Sequence, residues 1–180
     1  MAMASKCKKQ MNKSTKHLAL NAVVAALYVV LTLPLGSIAN NSFVQIRPAE
    51  ALAILPALIP STTIGLAVGC AISNILSSFG IIDIALGSAV TLVAAILAAK
   101  VFKKSYLAPI PPTVLNAVFL PLVWLLAAVV DNPNSTLTAT GYFWQMASLL
   151  VSQAIVCFGL GIPLYYITKN RILPRLNLDD

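Results

Sequence analysis

The sequence predicts an all-α integral membrane protein, a bundle of six transmembrane helices with both termini in the cytoplasm. Three observations carry this. The chain is 59% hydrophobic and 9% charged, against about 25% charged in an ordinary soluble domain. Its 180 residues leave room for about six spans of roughly 20 residues each. Every Lys and Arg other than Arg47 falls into one of three clusters: Lys6 to Lys16; Lys100, Lys103 and Lys104; and Lys169, Arg171 and Arg175. Basic residues flanking apolar spans mark the cytoplasmic side, so an even number of crossings separates neighbouring clusters.

Four spans fit between the first two clusters, at 18–35, 48–60, 62–79 and 83–99, and two more at 107–130 and 142–168. Residues 1–17 then form a basic cytoplasmic segment, 18–170 the membrane domain and 171–180 a cytoplasmic tail. Segments 36–47, 80–83 and 131–141 become outer loops. The second span is short, contains Glu50 and is followed by Pro60-Ser61-Thr62-Thr63 with no positive charge. Taken alone it also suits a re-entrant segment. Removing it would send the middle basic cluster outside, so parity keeps it. Irregular backbone is tolerated where it lines a cavity.

Proline placement refines the ends. Pro48 suits the first turn of a helix, where its missing N–H costs nothing. Pro109, Pro111 and Pro112 are expected to delay the fifth helix to about Thr113, and Pro121 and Pro163 to kink the helices that contain them. No internal repeat is visible. The basic start, the apolar run and Ser37-Ile38-Ala39 also fit a secretory signal, but the run is long for one.

Several function classes fall away. The net charge of +7 flanks apolar segments and forms no separate basic domain, so nucleic acid is not the partner. Cys7, Cys70 and Cys157 follow no metal or disulfide spacing; the latter two read as small buried residues. No metal-ligand pattern, cofactor motif or catalytic constellation is present. The single histidine, His17, reads as a solvated interfacial residue. Without a Gly-x-x-x-x-Gly-Lys-Ser/Thr loop the chain cannot hydrolyse a nucleotide by that route. Uphill transport would need an ion gradient or a partner.

What remains is a set of polar residues in or beside apolar spans. An ionisable group at membrane depth costs roughly 2.5–3.5 kcal/mol on insertion scales and so signals a task. Gln45, Arg47 and Glu50 form the densest group. Glu50 either pairs with Arg47 to close the top of its helix, or faces a cavity as a ligand acceptor with four lone-pair sites. Asn74 bonds a neighbouring helix or a solute. Asp83 favours the positive start of its helix or joins the site. Trp144, beside Tyr142 and Phe143, belongs to the interfacial belt or stacks on a flat solute, with Gln145 offering a donor and an acceptor. Asn116, nearer the cytoplasmic end of its helix, is assigned to packing or coupling. Ala22 and Ala26 stand at small-xxx-small spacing, for internal packing or for docking a partner.

The ordered set Val44-Gln45-Ile46-Arg47-Pro48-Ala49-Glu50-Ala51-Leu52, Gly69-Cys70-Ala71-Ile72-Ser73-Asn74, Asp83-Ile84-Ala85-Leu86-Gly87-Ser88 and Pro111-Pro112-Thr113-Val114-Leu115-Asn116 resembles the QueT family. Its members are substrate-binding S components of energy-coupling-factor (ECF) transporters. Cys70 departs from the more polar or small residue expected there. The resemblance implies an ECF S-component-like bundle in a prokaryotic cell membrane, with a pocket near the outer face. It implies a transmembrane T component and two ATPases as partners, with helix 1 docking the former. The implied ligand is a 7-deazaguanine such as preQ1, preQ0 or queuine. Its N1–H and exocyclic NH2 suit one carboxylate, and the aminomethyl cation of preQ1 would suit Asp83. The rival readings are an S component for another vitamin, a stand-alone secondary carrier and a membrane enzyme. The last would want His/Asp or His/Glu clusters at the cytoplasmic interface.

Overall fold

The computed structural model of the chain describes residues 13–36, 46–77, 79–131 and 139–176. Among these the chain is helical, with no strand. Helix α1 spans Lys13–Thr32 and ends in a 3-10 turn, Leu33–Leu35. Helix α2 is the short segment Pro48–Leu58 and α3 is Thr62–Leu76. Helix α4 covers Gly80–Lys100, α5 Ile110–Asp131, and α6 Ala139–Gly159 with a continuation from Gly161 to Leu176. Four segments are long and apolar enough to cross a bilayer, namely Lys13–Leu35, Gly80–Lys100, Ile110–Val130 and Thr140–Leu176, while α2 and α3 are shorter.

The outside of the bundle is apolar. Ile64 and Val68 on α3, Val93 on α4, Leu122 and Leu126 on α5, and Val151 and Ile155 on α6 are all exposed. Such a surface is at home in lipid, not in water. The inside is largely apolar too, with buried polar residues such as Arg47, Glu50, Asn74, Asp83 and Asn116 set among it.

Helix α2 occupies the centre. Every residue from Ala49 to Ile59 is buried, with α1, α4 and α6 packed around it. Its first part, Pro48–Ile54, is a 3-10 helix. The tighter 3-10 winding and the small side chains Ala49, Ala51 and Ala53 let neighbours close in on all sides. Irregular backbone survives at this depth because protein surrounds it. The base of α2 is sealed by the α4–α5 loop. Lys104, in the left-handed region at φ 56, donates its N–H to the Ala57 carbonyl at 2.8 Å and accepts from the Tyr165 hydroxyl.

Helix α1 lies along α3, and two glycines set the approach. A Cβ added at Gly65 would meet the Asn21 carbonyl oxygen at 2.5 Å, and one at Gly69 would meet Tyr28 Cβ at 2.7 Å. Small residues four apart permit this backbone contact. Ala22 and Ala26 point the other way and are exposed.

Some boundaries differ from expectation. Helix α5 begins at Ile110 rather than Thr113. Pro111 and Pro112 fall in the first turn, where no N–H is required, and Thr113 N–H closes that turn on the Pro109 carbonyl at 3.1 Å. Helix α4 starts before Asp83 and carries a π-turn at Asp83–Gly87. The break in α6 falls at Leu160, with Pro163 in the first turn of the continuing segment. His17 is half-buried and hydrogen-bonds the Ser61 hydroxyl at 2.8 Å, tying α1 to the α2–α3 turn.

Candidate ligand site

The centre of the bundle holds one polar cluster, built from all six helices. Glu50 is 2% exposed. Its position follows from α2, which starts at Pro48 and drives the first turn straight into the core. The Tyr28 hydroxyl of α1 donates to Glu50 Oε1 at 2.7 Å, and Asn116 Nδ2 of α5 donates to Oε2 at 3.2 Å. The Cys157 thiol of α6 faces the Glu50 carbonyl at 3.7 Å and the Gln153 Oε1 at 3.6 Å. Asn116 lies six residues, roughly 9 Å, into α5. Glu50 is therefore deeper than its place near the start of α2 suggests.

A second layer lies on the side of Glu50 away from the α4–α5 loop. Arg47, 3% exposed, donates from Nη1 to Asn74 Oδ1 at 3.0 Å. Arginine can only donate, so this bond fixes the Asn74 amide and turns its Nδ2 to the Asp83 carbonyl at 3.1 Å. The Asp83 carboxylate accepts from the Ser77 hydroxyl at 2.5 Å. Gly87, one turn on from Asp83 across the π-turn, has no room for a side chain. A Cβ there would stand 2.7 Å from Asp83 Oδ1 and 2.9 Å from Asn74 Nδ2. π-turns gather at functional sites, and this one sets Asp83 against Asn74. Cys70 joins the layers, accepting from Thr91 at 3.3 Å and from Asn74 at 3.7 Å.

The arrangement has spare capacity. A carboxylate offers about four acceptor sites, and the two protein bonds on Glu50 occupy two. Asn116 Oδ1 beside it is buried with no hydrogen-bond partner among the described residues. Burying a charge costs several kcal/mol, while each bond to a charged group contributes about 1.5–3 kcal/mol. The cluster is held in place with acceptors still open.

Of the residues singled out from sequence, Arg47, Glu50, Asn74 and Asp83 come together here. Gln45 lies outside the described residues. Gln145 is half-buried near the start of α6. Trp144 is 68% exposed and, with Ile46, lines a groove on the outside of the bundle. It is not brought to the Glu50 cluster. Sequence reasoning missed Tyr28, Gln153 and Cys157 and gave Asn116 only a packing or coupling role. Tyr28 carried one usable signal: it lies well inside an apolar span, where a hydroxyl needs a partner. No group of three or more His, Cys, Asp or Glu side chains suited to a metal occurs among the described residues.

Residues 18–170 match the QueT transporter family. The chain belongs to this family. No curated protein and no solved structure matches it. The QueT match takes in every member of the cluster from Tyr28 to Cys157. As a QueT chain this is a membrane transport protein, and the Glu50 cluster is its candidate solute site.

Proposed function

We propose that this QueT chain is the substrate-binding S component of an ECF-type importer. It captures a 7-deazaguanine, preQ1, preQ0 or queuine, at a site centred on Glu50. The observation that carries this is the buried Glu50 carboxylate with acceptor sites left open beside the unpartnered Asn116 Oδ1. A guanine-like edge presents N1–H and NH2 side by side, and one carboxylate accepts both. The aminomethyl cation of preQ1 would turn toward Asp83. Six crossings with both termini in the cytoplasm complete the reading.

Energy would come from a T component and two ATPases. The sequence has no phosphate-binding loop, and the exposed Ala22 and Ala26 leave α1 a smooth face on which another membrane helix could pack closely. Neither feature names the partner alone; together they fit a division between binding and energising subunits.

One observation favours a second reading. The depth of Glu50, bonded to Asn116 inside α5, suits a proton-coupled carrier better than its place in the sequence does. The experiment separates the two. Uptake of radiolabelled queuine is measured in cells carrying the chain with and without ECF subunits. Accumulation only with the ECF subunits, resistant to a protonophore while ATP is held constant, is expected. Accumulation by the chain alone, abolished by the protonophore, would establish the carrier. Native mass spectrometry of the purified chain identifies the solute; a co-purified vitamin of another class would overturn the 7-deazaguanine assignment.

A further inference from the structure

The three basic clusters are far apart in the sequence and meet at one end of the bundle. The apolar base of α2 gathers them. Ala57, Leu58 and Ile59 pack with Ala98, Ala108 and Tyr165, and Leu20, Phe102, Leu173 and Leu176 close around that core. Leu20 follows Lys16 by one helical turn, Phe102 precedes Lys103, and Leu173 and Leu176 flank Arg175. Burying this core therefore draws segments of all three clusters to one rim. Lys100, Lys103, Lys104, Lys169, Arg171 and Arg175 are all exposed there. Among the described residues no Asp or Glu shares that end, since Glu50, Asp83 and Asp131 stand at the far ends of α2, α4 and α5.

Within that rim two lysines share a tyrosine. Tyr165 donates its hydroxyl to the Lys104 carbonyl, and the Lys169 ammonium lies 5.5 Å from the centre of the same ring. The Lys104 N–H is itself tied to the Ala57 carbonyl at 2.8 Å, so the backbone here is held from both sides. Both lysine side chains are exposed. The flexible four-carbon stem of a lysine lets its ammonium reach an anion seated near the ring. The surface between the cations is not polar. Val101, Ile167 and Ile172 are exposed, as are Tyr106 and Tyr166. Cations set over exposed aliphatics and tyrosines match the profile of a bilayer leaflet, with chains below and phosphates above. An acidic peptide in water would leave those aliphatics wet.

We propose that the rim around Tyr165, where the α4–α5 loop meets the continuation of α6, holds the headgroup of an anionic phospholipid, with Lys104 and Lys169 as its principal cations. Basic pockets between membrane helices suit such headgroups. The loop that carries Lys104 also seals the base of α2, so the bound lipid ties the closure of the bundle to the composition of the leaflet. The assignment depends on neither the 7-deazaguanine nor the ECF reading. It needs only the membrane placement that the family and the apolar outer surface carry.

The test titrates the purified full chain in detergent with phosphatidylglycerol or phosphatidylcholine and counts bound lipid by native mass spectrometry. The unaltered chain is expected to prefer phosphatidylglycerol by about tenfold or more, a preference that shrinks as salt is raised. Equal binding of the two lipids overturns the proposal. Lys104→Asn suits the left-handed backbone at φ 56, which asparagine tolerates, and Lys169→Gln removes a charge at an exposed helical position. Each cation near an anionic surface contributes about fivefold, so the double variant should bind phosphatidylglycerol about 10- to 30-fold more weakly. Phosphatidylcholine binding should stay within about threefold. Lys13→Gln with Lys16→Gln lowers the net charge equally at the start of α1 and should leave both lipids within about threefold. Equal loss in the two double variants would mean diffuse attraction to a positive end, and no loss in either would mean no attraction at all; both overturn the site. Lys169→Gln alone, expected to lose about fivefold, keeps the test decisive where the loop variant fails to fold. Phosphatidylglycerol should also raise the unfolding temperature of the unaltered chain. The same rise with inorganic phosphate would assign the cations to a soluble anion and overturn the lipid assignment.

Discussion

At the scale of single residues, the Glu50 carboxylate is held by a phenol and an amide that lie 88 residues apart in the sequence. The Tyr28 hydroxyl at 2.7 Å makes the shorter of the two bonds. Tyr28→Phe removes it without changing the packing of the ring. The variant is expected to lose about 1.5–3 kcal/mol of stability, read as a lowered unfolding temperature in detergent. An unchanged temperature would mean that the bond contributes nothing to the folded state. The four charged or amide residues of the cluster were legible in the sequence because each interrupts an apolar stretch at a cost that membrane insertion makes large. Tyr28 was not. Aromatic residues in apolar helices are common, and nothing in a one-dimensional pattern separates a core phenol from a belt phenol. Asn116 was visible but misjudged, because its height was counted along α5 without knowing how deep α2 inserts.

At the scale of elements, the site depends on two places where a helix departs from ideal geometry. The 3-10 opening of α2 at Pro48–Ile54 puts Arg47 on the outer layer and Glu50 on the inner one. The π-turn at Asp83–Gly87 turns Asp83 inward. Gly87 is where that turn meets the cluster, since a Cβ added there would stand 2.7 Å from Asp83 Oδ1. Gly87→Ala is expected to push Asp83 and Asn74 apart at about 1–3 kcal/mol of strain and to weaken solute binding roughly five- to a hundredfold. Gly159→Ala, where nothing lies within 4 Å of the added carbon, should bind like the unaltered chain. Equal behaviour of the two variants in a titration would dissociate the π-turn from binding. The existence of each helix was legible from hydropathy and from the basic clusters. The 3-10 and π windings were not, because tertiary packing imposes them. The early start of α5 was missed because prolines stop a helix when they follow it but suit one when they open it.

At the scale of the molecule, lipid-facing aliphatics surround an interior in which apolar packing encloses one hydrogen-bonded polar cluster, and the ends are asymmetric. The end expected from the basic clusters to face the cytoplasm is closed by the loop that hangs Lys104 from Ala57. The basic clusters predicted that this loop is inside. A cysteine at the exposed Lys103 should be labelled by an impermeant thiol reagent only after cells are opened; labelling of intact cells would reverse the topology. Ala26, exposed on α1, tests the division of labour. Ala26→Trp should abolish uptake with the ECF subunits present while leaving solute affinity in detergent within about twofold, a change of less than about 0.5 kcal/mol. Loss of both would place Ala26 in the internal packing instead.

The most direct test of the account is a calorimetric titration of Glu50→Gln against the unaltered chain, with preQ1 and queuine. A glutamine fits the same space, and its NH2 can face the Tyr28 hydroxyl, which is able to accept. The resting fold should therefore survive, as an unchanged unfolding temperature within a few degrees would verify. A guanine-like edge would then meet one acceptor where it had met two, with one buried donor left unpaired. That loss is expected to be about 2–4 kcal/mol, or roughly 30- to 1000-fold in affinity. A change below about fivefold for both ligands, a difference of about 1 kcal/mol, would remove Glu50 from the site and contradict the account.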